Sequence, residues 1–198
     1  MEKITAINDL TRHCWNLLFR GAVQARHAYH TPVLATTDGQ FPHARTVVLR
    51  ETDVQARTLV IYTDSRTQKV KDIQQISQVS LVFWDKGKST QIRASGKATL
   101  HHEDTLAKQY WDKIPAKNRR DYATRQAPGS ERDETSYLPD YWQAEELDKE
   151  KTEAHFKHFV VLSLVVSQID YLRLSRDGHS RAKLVWEAEE WQGNLVVP

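Results

Sequence analysis

The chain is poor in the residues that usually announce chemistry or location. Its 198 residues include one cysteine, Cys14, and one methionine. A lone cysteine forms no internal disulfide and makes no zinc site by itself, which points to a reducing compartment. Flanked by His13 and Trp15 in a helical pattern, it reads as packing. The longest apolar run, Phe159 to Val166, is too short to cross a bilayer and is interrupted by Ser163. Met1 to Leu10 lacks both the basic start and the apolar stretch of a signal peptide, so a cytoplasmic protein away from membranes is expected. The sequence contains no GxGxxG, GxxxxGK[ST], HExxH or CxxC, and Gly129-Ser130 lacks the surroundings of a nucleophile elbow. Dinucleotide-fold, triphosphate and zinc chemistry are thereby disfavoured. With 28 basic against 26 acidic residues, charge alone gives no reason to expect nucleic acid.

What is present is β rhythm. After an amphipathic stretch from Thr5 to about His27, with apolar marks at Ile7, Leu10, Cys14, Leu17, Leu18 and Val23, the period changes. Pro32 to Thr37, the Asp38-Gly39 turn and the run His43 to Leu49 predict a hairpin. Leu59 to Thr63 predicts a strand and Arg66 to Ile76 a helix. Ser80 to Trp84 and Gln91 to Leu100 predict strands around Lys86-Gly87-Lys88. Residues 101–156 form a charged insertion, with helical patches at Glu103 to Ile114 and Ala116 to Arg125 and an acidic stretch from Glu131 to Glu153. The ordinary reading of that acidity is a solvated surface. Strands resume over 157–198, at Phe159 to Val166, Ile169 to Leu174, Ala182 to Trp186 and Trp191 to Val197, with Asp177-Gly178 as a hairpin turn. Runs of strands with segregated helices imply an α+β fold on an antiparallel sheet, and many short strands favour closure into a barrel. One domain over 1–198 is the simplest organisation.

Chemistry-bearing residues gather at the expected strand ends. Arg45 and Arg50 flank an apolar strand, Thr63 and Ser65 follow another, Thr67 and Lys69 open a helix, and Gln91 sits on a later strand. Such a set suits a phosphate, which takes charge-assisted hydrogen bonds from Arg and Lys together with hydroxyls and helix N-terminal amides. Either Arg45 or Lys69 alone is more simply a surface charge.

Their order resembles the FMN-binding split barrel of the pyridoxamine 5'-phosphate oxidase superfamily. There the text runs approximately R-x-V-L-L-[KR], then Y-T, then S-x-K at a helix start. Here it runs Arg45-Thr46-Val47-Val48-Leu49-Arg50, then Tyr62-Thr63, then Thr67-Gln68-Lys69, then Gln91-Ile92-Arg93 leading into Gly96-Lys97. The ending is similar too, with Ser180-Arg181-Ala182-Lys183 after a turn, then Trp191 and the terminal Leu195 to Pro198. The match covers most of the chain and is weakest between His101 and Phe156. Within the superfamily, the ending and the Ala127-Pro128-Gly129 loop look most like a branch of FMN-binding proteins without an assigned substrate.

The resemblance implies an antiparallel split β-barrel with peripheral helices, working as a homodimer with FMN at the subunit interface. It implies that Arg45, Thr67 and Lys69 cradle the FMN phosphate. Gln68 stands where the better-known oxidases carry a second arginine, whose charge Arg66 is the candidate to replace. The backbone of Thr46, Val47, Val48 and Leu49 and of Tyr62 and Thr63 would follow the isoalloxazine edge, Arg50 would also belong to the cofactor set, and Gln91 and Lys183 would come from the other subunit. For the substrate it implies Arg50, Tyr110, His179 and Arg181. Yet Ile114 stands where those oxidases hold the substrate phosphate with an arginine, and Asn118 where they place a serine. The implied activity is an FMN-dependent oxidoreductase acting on a small molecule, with no residue assigned a catalytic role. The alternatives are a flavin sensor or carrier without turnover, an NAD(P)H-dependent flavin reductase, and a barrel that has lost flavin for another ligand.

The remaining clusters have plainer readings. His155 and His158 lack the carboxylates of a metal site, so no metal is expected. Trp111, Trp142, Trp186 and Trp191 are more simply packed than stacked on a ring. Arg119-Arg120, Tyr122 and Arg125 read as a solvated helix face rather than a nucleic-acid patch.

Overall fold

The computed structural model describes residues 7–131, 137–143 and 149–198. Part of the acidic stretch from Glu131 to Glu153 thus lies outside the described residues. The chain opens with helix α1 (Ile7–Val23). Strands β1 (Val33–Thr37), β2 (Pro42–Thr46), β3 (Leu49–Asp53) and β4 (Thr58–Asp64) follow, then helix α2 (Gln68–Gln75), β5 (Gln78–Asp85) and β6 (Thr90–His102). Helix α3 (Thr105–Lys113), a 3-10 segment at Ala116–Tyr122 and short helix α4 (Lys149–Glu153) precede β7 (Phe159–Arg173), β8 (Ser180–Glu187) and β9 (Glu190–Val196).

All strand pairs are antiparallel, in the order β2-β1-β5-β6-β7-β4-β3, with β8 and β9 continuing from β7. Strands β2 and β3 are consecutive in the chain yet stand at opposite ends of that order, so the link through Val47 and Val48 joins the sheet's two ends. The three Cα-to-Cα steps from Thr46 to Leu49 span at most about 10 Å. The sheet therefore curls on itself, which is the closure expected from its many short strands.

The single strand expected from His43 to Leu49 is in fact two strands. After Thr46 the chain leaves the β1 ladder, and the Val47 amide donates to the Pro32 carbonyl at 2.9 Å. A second difference runs the other way: the two strands expected at 159–166 and 169–174 are one, β7. Its first half pairs with β4, its second half with β8, and a register shift opposite Ser95 and Gly96 bends it between them. Gly96 is required there, because a Cβ would lie 2.0 Å from the Val165 carbonyl oxygen.

The barrel interior holds Leu34, Leu59, Ile61, Leu81, Phe83, Ile92, Ala94, Leu162, Leu164 and Ile169, and α1 closes it with Leu10, Cys14, Trp15, Leu17 and Leu18. Each buried leucine contributes about 1.5–3 kcal/mol of transfer free energy. Cys14 is fully enclosed, and burial pushes its thiol up to about 12, which removes it from thiolate chemistry.

A smaller cluster of Val60, Trp111, Ile114, Tyr122, Phe159 and Val161 attaches the insertion to β4 and β7. Its keystone corrects an expectation: Arg119 is not on a solvated face but has no exposed surface. Its guanidinium lies 4.2 Å from the Trp111 ring and donates to the carbonyls of Trp111 (3.0 Å), Ile114 (3.3 Å) and Lys149 (3.3 Å). It also reaches Thr152 Oγ1 (3.2 Å) and Glu153 Oε2 (3.1 Å). Among the described residues no helix is long and apolar enough to cross a membrane.

Candidate functional site

The end of β4 divides the candidate site in two, because successive side chains on a strand point to opposite sides. Thr63 lies with a cationic cluster beside α2, and Tyr62 faces a cleft under the insertion.

In the cluster, the Lys69 ammonium donates to Thr63 Oγ1 at 3.1 Å, and the Thr63 and Thr67 hydroxyls are 3.4 Å apart. Thr67 stands at the N-cap of α2 without capping it; its hydroxyl donates to the Asp64 carbonyl at 2.8 Å. Arg45, on β2, donates from Nη1 to Thr36 Oγ1 at 2.6 Å and has Nη2 3.6 Å from Asp72 Oδ2. Burial lowers the pKa of both Arg45 and Lys69, and the Arg45 charge lowers that of Lys69 further. A half-buried ammonium held beside a second cation forms a place prepared for an anion.

Arg66 is committed elsewhere. It grips Asp64 through Nε (3.0 Å) and Nη2 (2.7 Å) and donates to the Thr124 carbonyl (2.9 Å) and hydroxyl (2.8 Å). It ties the insertion to the β4–α2 turn and arrives already neutralised, so it brings no free charge to the cluster.

The cleft has a volume of about 590 Å³ and is lined by Arg50, Tyr62, Lys113, Ile114, Lys117, Arg120 and Tyr122, among others. Arg50 has no ion pair among the described residues and lies 5.4 Å from the Tyr62 ring centre. Lys113, Lys117 and Arg120 are likewise unpaired there, and Asp121 is the one carboxylate in the lining. Tyr110 packs edge-on to Tyr62 at 5.6 Å between ring centres and takes the Lys113 ammonium over its ring at 4.9 Å. Burial pushes the Tyr62 hydroxyl up to about 12. Burial, with the nearby Glu51 charge, does the same to Tyr110. Both are neutral hydrogen-bonding groups at physiological pH.

The other sequence-derived residues lie apart from these two places. Thr46 is exposed at the end of β2, Val47 packs against the barrel core, Val48 is half-buried and Leu49 is fully interior. Gln91 pairs in register with Trp84 and Leu172 on the sheet. Lys183 lines a separate outer groove with Arg93 and Asp170. Arg181 is held by Asp170 through Nε (3.0 Å) and Nη2 (2.8 Å), and Arg93 meets the same carboxylate at 2.7 Å. His179 sits in the preceding loop, its Nδ1 accepting from the Ser175 amide at 3.2 Å.

Residues not anticipated from sequence are Thr36, His43 and Asp72 behind Arg45, and Lys113, Lys117 and Arg120 in the cleft. A carboxylate between the two apolar marks Val70 and Ile73 was the available signal for Asp72. For the cleft cations it was the spacing of a basic residue every three or four positions. His155, weighed as a metal ligand, instead bonds the Tyr141 hydroxyl and stacks on that ring.

An antiparallel sheet curled on itself, with helices at its periphery, is the fold of the FMN-binding split barrels. The whole-chain fold matches a pyridoxamine 5'-phosphate oxidase-related, FMN-binding protein from Nostoc punctiforme, with TM-score 0.74, 21% identity, and 94% and 96% of the two chains covered. It also matches PhzG from Burkholderia lata 383, solved with tetrahydrophenazine-1-carboxylic acid, at TM-score 0.65 and 17% identity over 98% and 92%. Residues 12–102 match the family model described as pyridoxamine 5'-phosphate oxidase, FMN-binding domain. The chain is thus similar to the pyridoxamine 5'-phosphate oxidase superfamily in sequence over that stretch and in fold over nearly its whole length. No curated protein matches it.

Proposed function

We propose that the chain is a cytoplasmic FMN-dependent oxidoreductase, acting as a homodimer built from one split-barrel domain per subunit. The observation that carries the cofactor is the half-buried Lys69 ammonium, held on the Thr63 hydroxyl beside Thr67, with the Arg45 cation close enough to repel it and lower its pKa. A phosphate there relieves the repulsion and takes charge-assisted hydrogen bonds. The family match over residues 12–102 supports reading that phosphate as the FMN phosphate. The isoalloxazine would then follow the backbone of Thr46 to Leu49 and Tyr62-Thr63, with Gln91 and Lys183 supplied by the second subunit. When bound, FMN supplies the hydride chemistry, and the protein orients it and excludes water.

For the substrate, the reading favours a small aromatic or heterocyclic anion in the Arg50 cleft. Ile114 is buried in the cleft wall where the resembling oxidases hold the substrate phosphate with arginine, which disfavours pyridoxamine phosphate. Loss of such a contact costs about 1.5–3 kcal/mol, roughly tenfold to a hundredfold in affinity. Arg50, Lys113, Lys117 and Arg120 offer an anion a wider and more solvated lodging. That reading is in keeping with the branch of the superfamily whose substrates are unassigned.

The test is reconstitution. The apo-protein is expected to take up FMN with quenching of flavin fluorescence. Failure to take it up overturns the flavin reading. Anaerobic mixing of the loaded protein with NADPH, NADH, pyridoxamine phosphate and a panel of aromatic carboxylates then separates an oxidase from a reductase. A bound flavin that none of them reduces overturns the enzyme reading in favour of a carrier or sensor.

A further inference from the structure

Behind Arg45 lies a carboxylate that the proposed cofactor never touches. The Asp72 side chain, on α2, is completely buried, although α2 is otherwise strongly polar. Its Oδ2 accepts from Thr36 Oγ1 at 2.5 Å and bonds His43 Nδ1 at 2.9 Å, and its Oδ1 accepts from Gln68 Nε2 at 2.9 Å. Its pKa is lowered despite burial, by the hydrogen bonds from Thr36, His43 and Gln68, so it is ionised at neutral pH. A buried charge costs several kcal/mol unless well partnered, so four converging groups, Arg45 included, mark an organised centre.

The arrangement gives direction to Arg45. A hydroxyl has one proton to donate. Thr36 gives its proton to Asp72, so its lone pairs face the other way, where Arg45 Nη1 donates at 2.6 Å. Nη2 of the same guanidinium is drawn to Asp72 at 3.6 Å. One edge of the guanidinium is fixed from behind, and among the described residues its Nε has no protein partner. Gln68, standing where the resembling oxidases carry a second arginine, turns its amide to Asp72 and completes the centre.

We propose that Asp72 is a positioning residue, which through Thr36 orients Arg45 toward the phosphate of the flavin nucleotide. This rests on the FMN reading above. The opposing effect is like-charge repulsion between Asp72 and a bound phosphate, and the two effects predict opposite signs on removing the charge.

The experiment compares FMN with riboflavin, which has the same ring and ribityl chain without the phosphate, by fluorescence titration of apo-protein. Asp72→Asn is expected to weaken FMN binding about tenfold, the loss of roughly one hydrogen bond to a charged group, and to leave riboflavin unchanged. Thr36→Val keeps the Asp72 charge and breaks only the relay; it is expected to shift FMN in the same direction, and it carries the test should Asp72→Asn fail to fold. Variants that bind FMN equally or more tightly, or that lose both ligands in parallel, overturn the positioning role. A wild-type protein with no preference for FMN over riboflavin overturns the phosphate cradle itself, a result distinct from the other two.

Discussion

Lys69 holds its charge where charge is costly. Because burial and Arg45 depress its pKa, the unfolded chain binds that proton more tightly, and this group's contribution to stability of the apo-protein rises with pH through the folded value. A bound phosphate needs the protonated form, so FMN affinity changes the opposite way. The ratio of FMN to riboflavin affinity is expected to fall at a pH below the ordinary lysine value of about 10.4. Lys69→Arg should flatten that fall, and Lys69→Ala should weaken FMN about tenfold or more at neutral pH with the fold intact. A ratio level across the alkaline range, or wild-type affinity in Lys69→Ala, counts against the cradle. Lys69, Thr67 and Arg45 were legible in sequence because they sit at fixed offsets from strand and helix boundaries. Asp72 was less so: its place between Val70 and Ile73 hints at burial, but next to Lys71 in a charged helix it looks solvated until β1 and β2 bring Thr36, His43 and Arg45 onto it.

Elements were legible where the period was clean. Helices α1, α2 and α3 and the hairpin turn at Asp177-Gly178 fall where the pattern placed them, Gly178 taking a φ of 113° that favours glycine. The misreadings came from strand ends. The β-branched Thr46, Val47 and Val48 read as one strand with the residues before them, and local propensity cannot show that the partner strand changes after Thr46. The segment expected as a helix from Ala116 to Arg125 is a 3-10 turn, Ala116–Tyr122, pinned by Arg119. Arg119→Met is expected to leave the Ile114 carbonyl without its side-chain donor and to remove one donor each from the Trp111 carbonyl and the Glu153 carboxylate, at a cost of about 2–3 kcal/mol. Denaturant titration followed by tryptophan fluorescence measures it. A loss below about 1 kcal/mol would mean the insertion does not depend on this side chain.

At the scale of the molecule, closure followed from strand number, but the outward face did not announce its use. Val33 and Trp84 remain 37% and 44% exposed on the same sheet surface that carries Arg93, Asp170 and Lys183. Two arginines and a lysine around one carboxylate leave that face with an excess of positive charge. Gln91 and Lys183 sit there, apart from the Arg45–Lys69 cluster, so their expected service to the flavin requires a second chain. Mixing tests this. When Lys69→Ala and Lys183→Ala subunits are unfolded together and refolded, each mixed dimer regains one site with both lysines intact. With random pairing, roughly one quarter of all sites should then bind FMN with wild-type affinity, although neither variant alone does so. If both lysines served a flavin within one chain, no mixture would restore binding. A protein that remains monomeric in light scattering at micromolar concentration would rule out the shared site, and the Lys183→Ala defect would vanish with it.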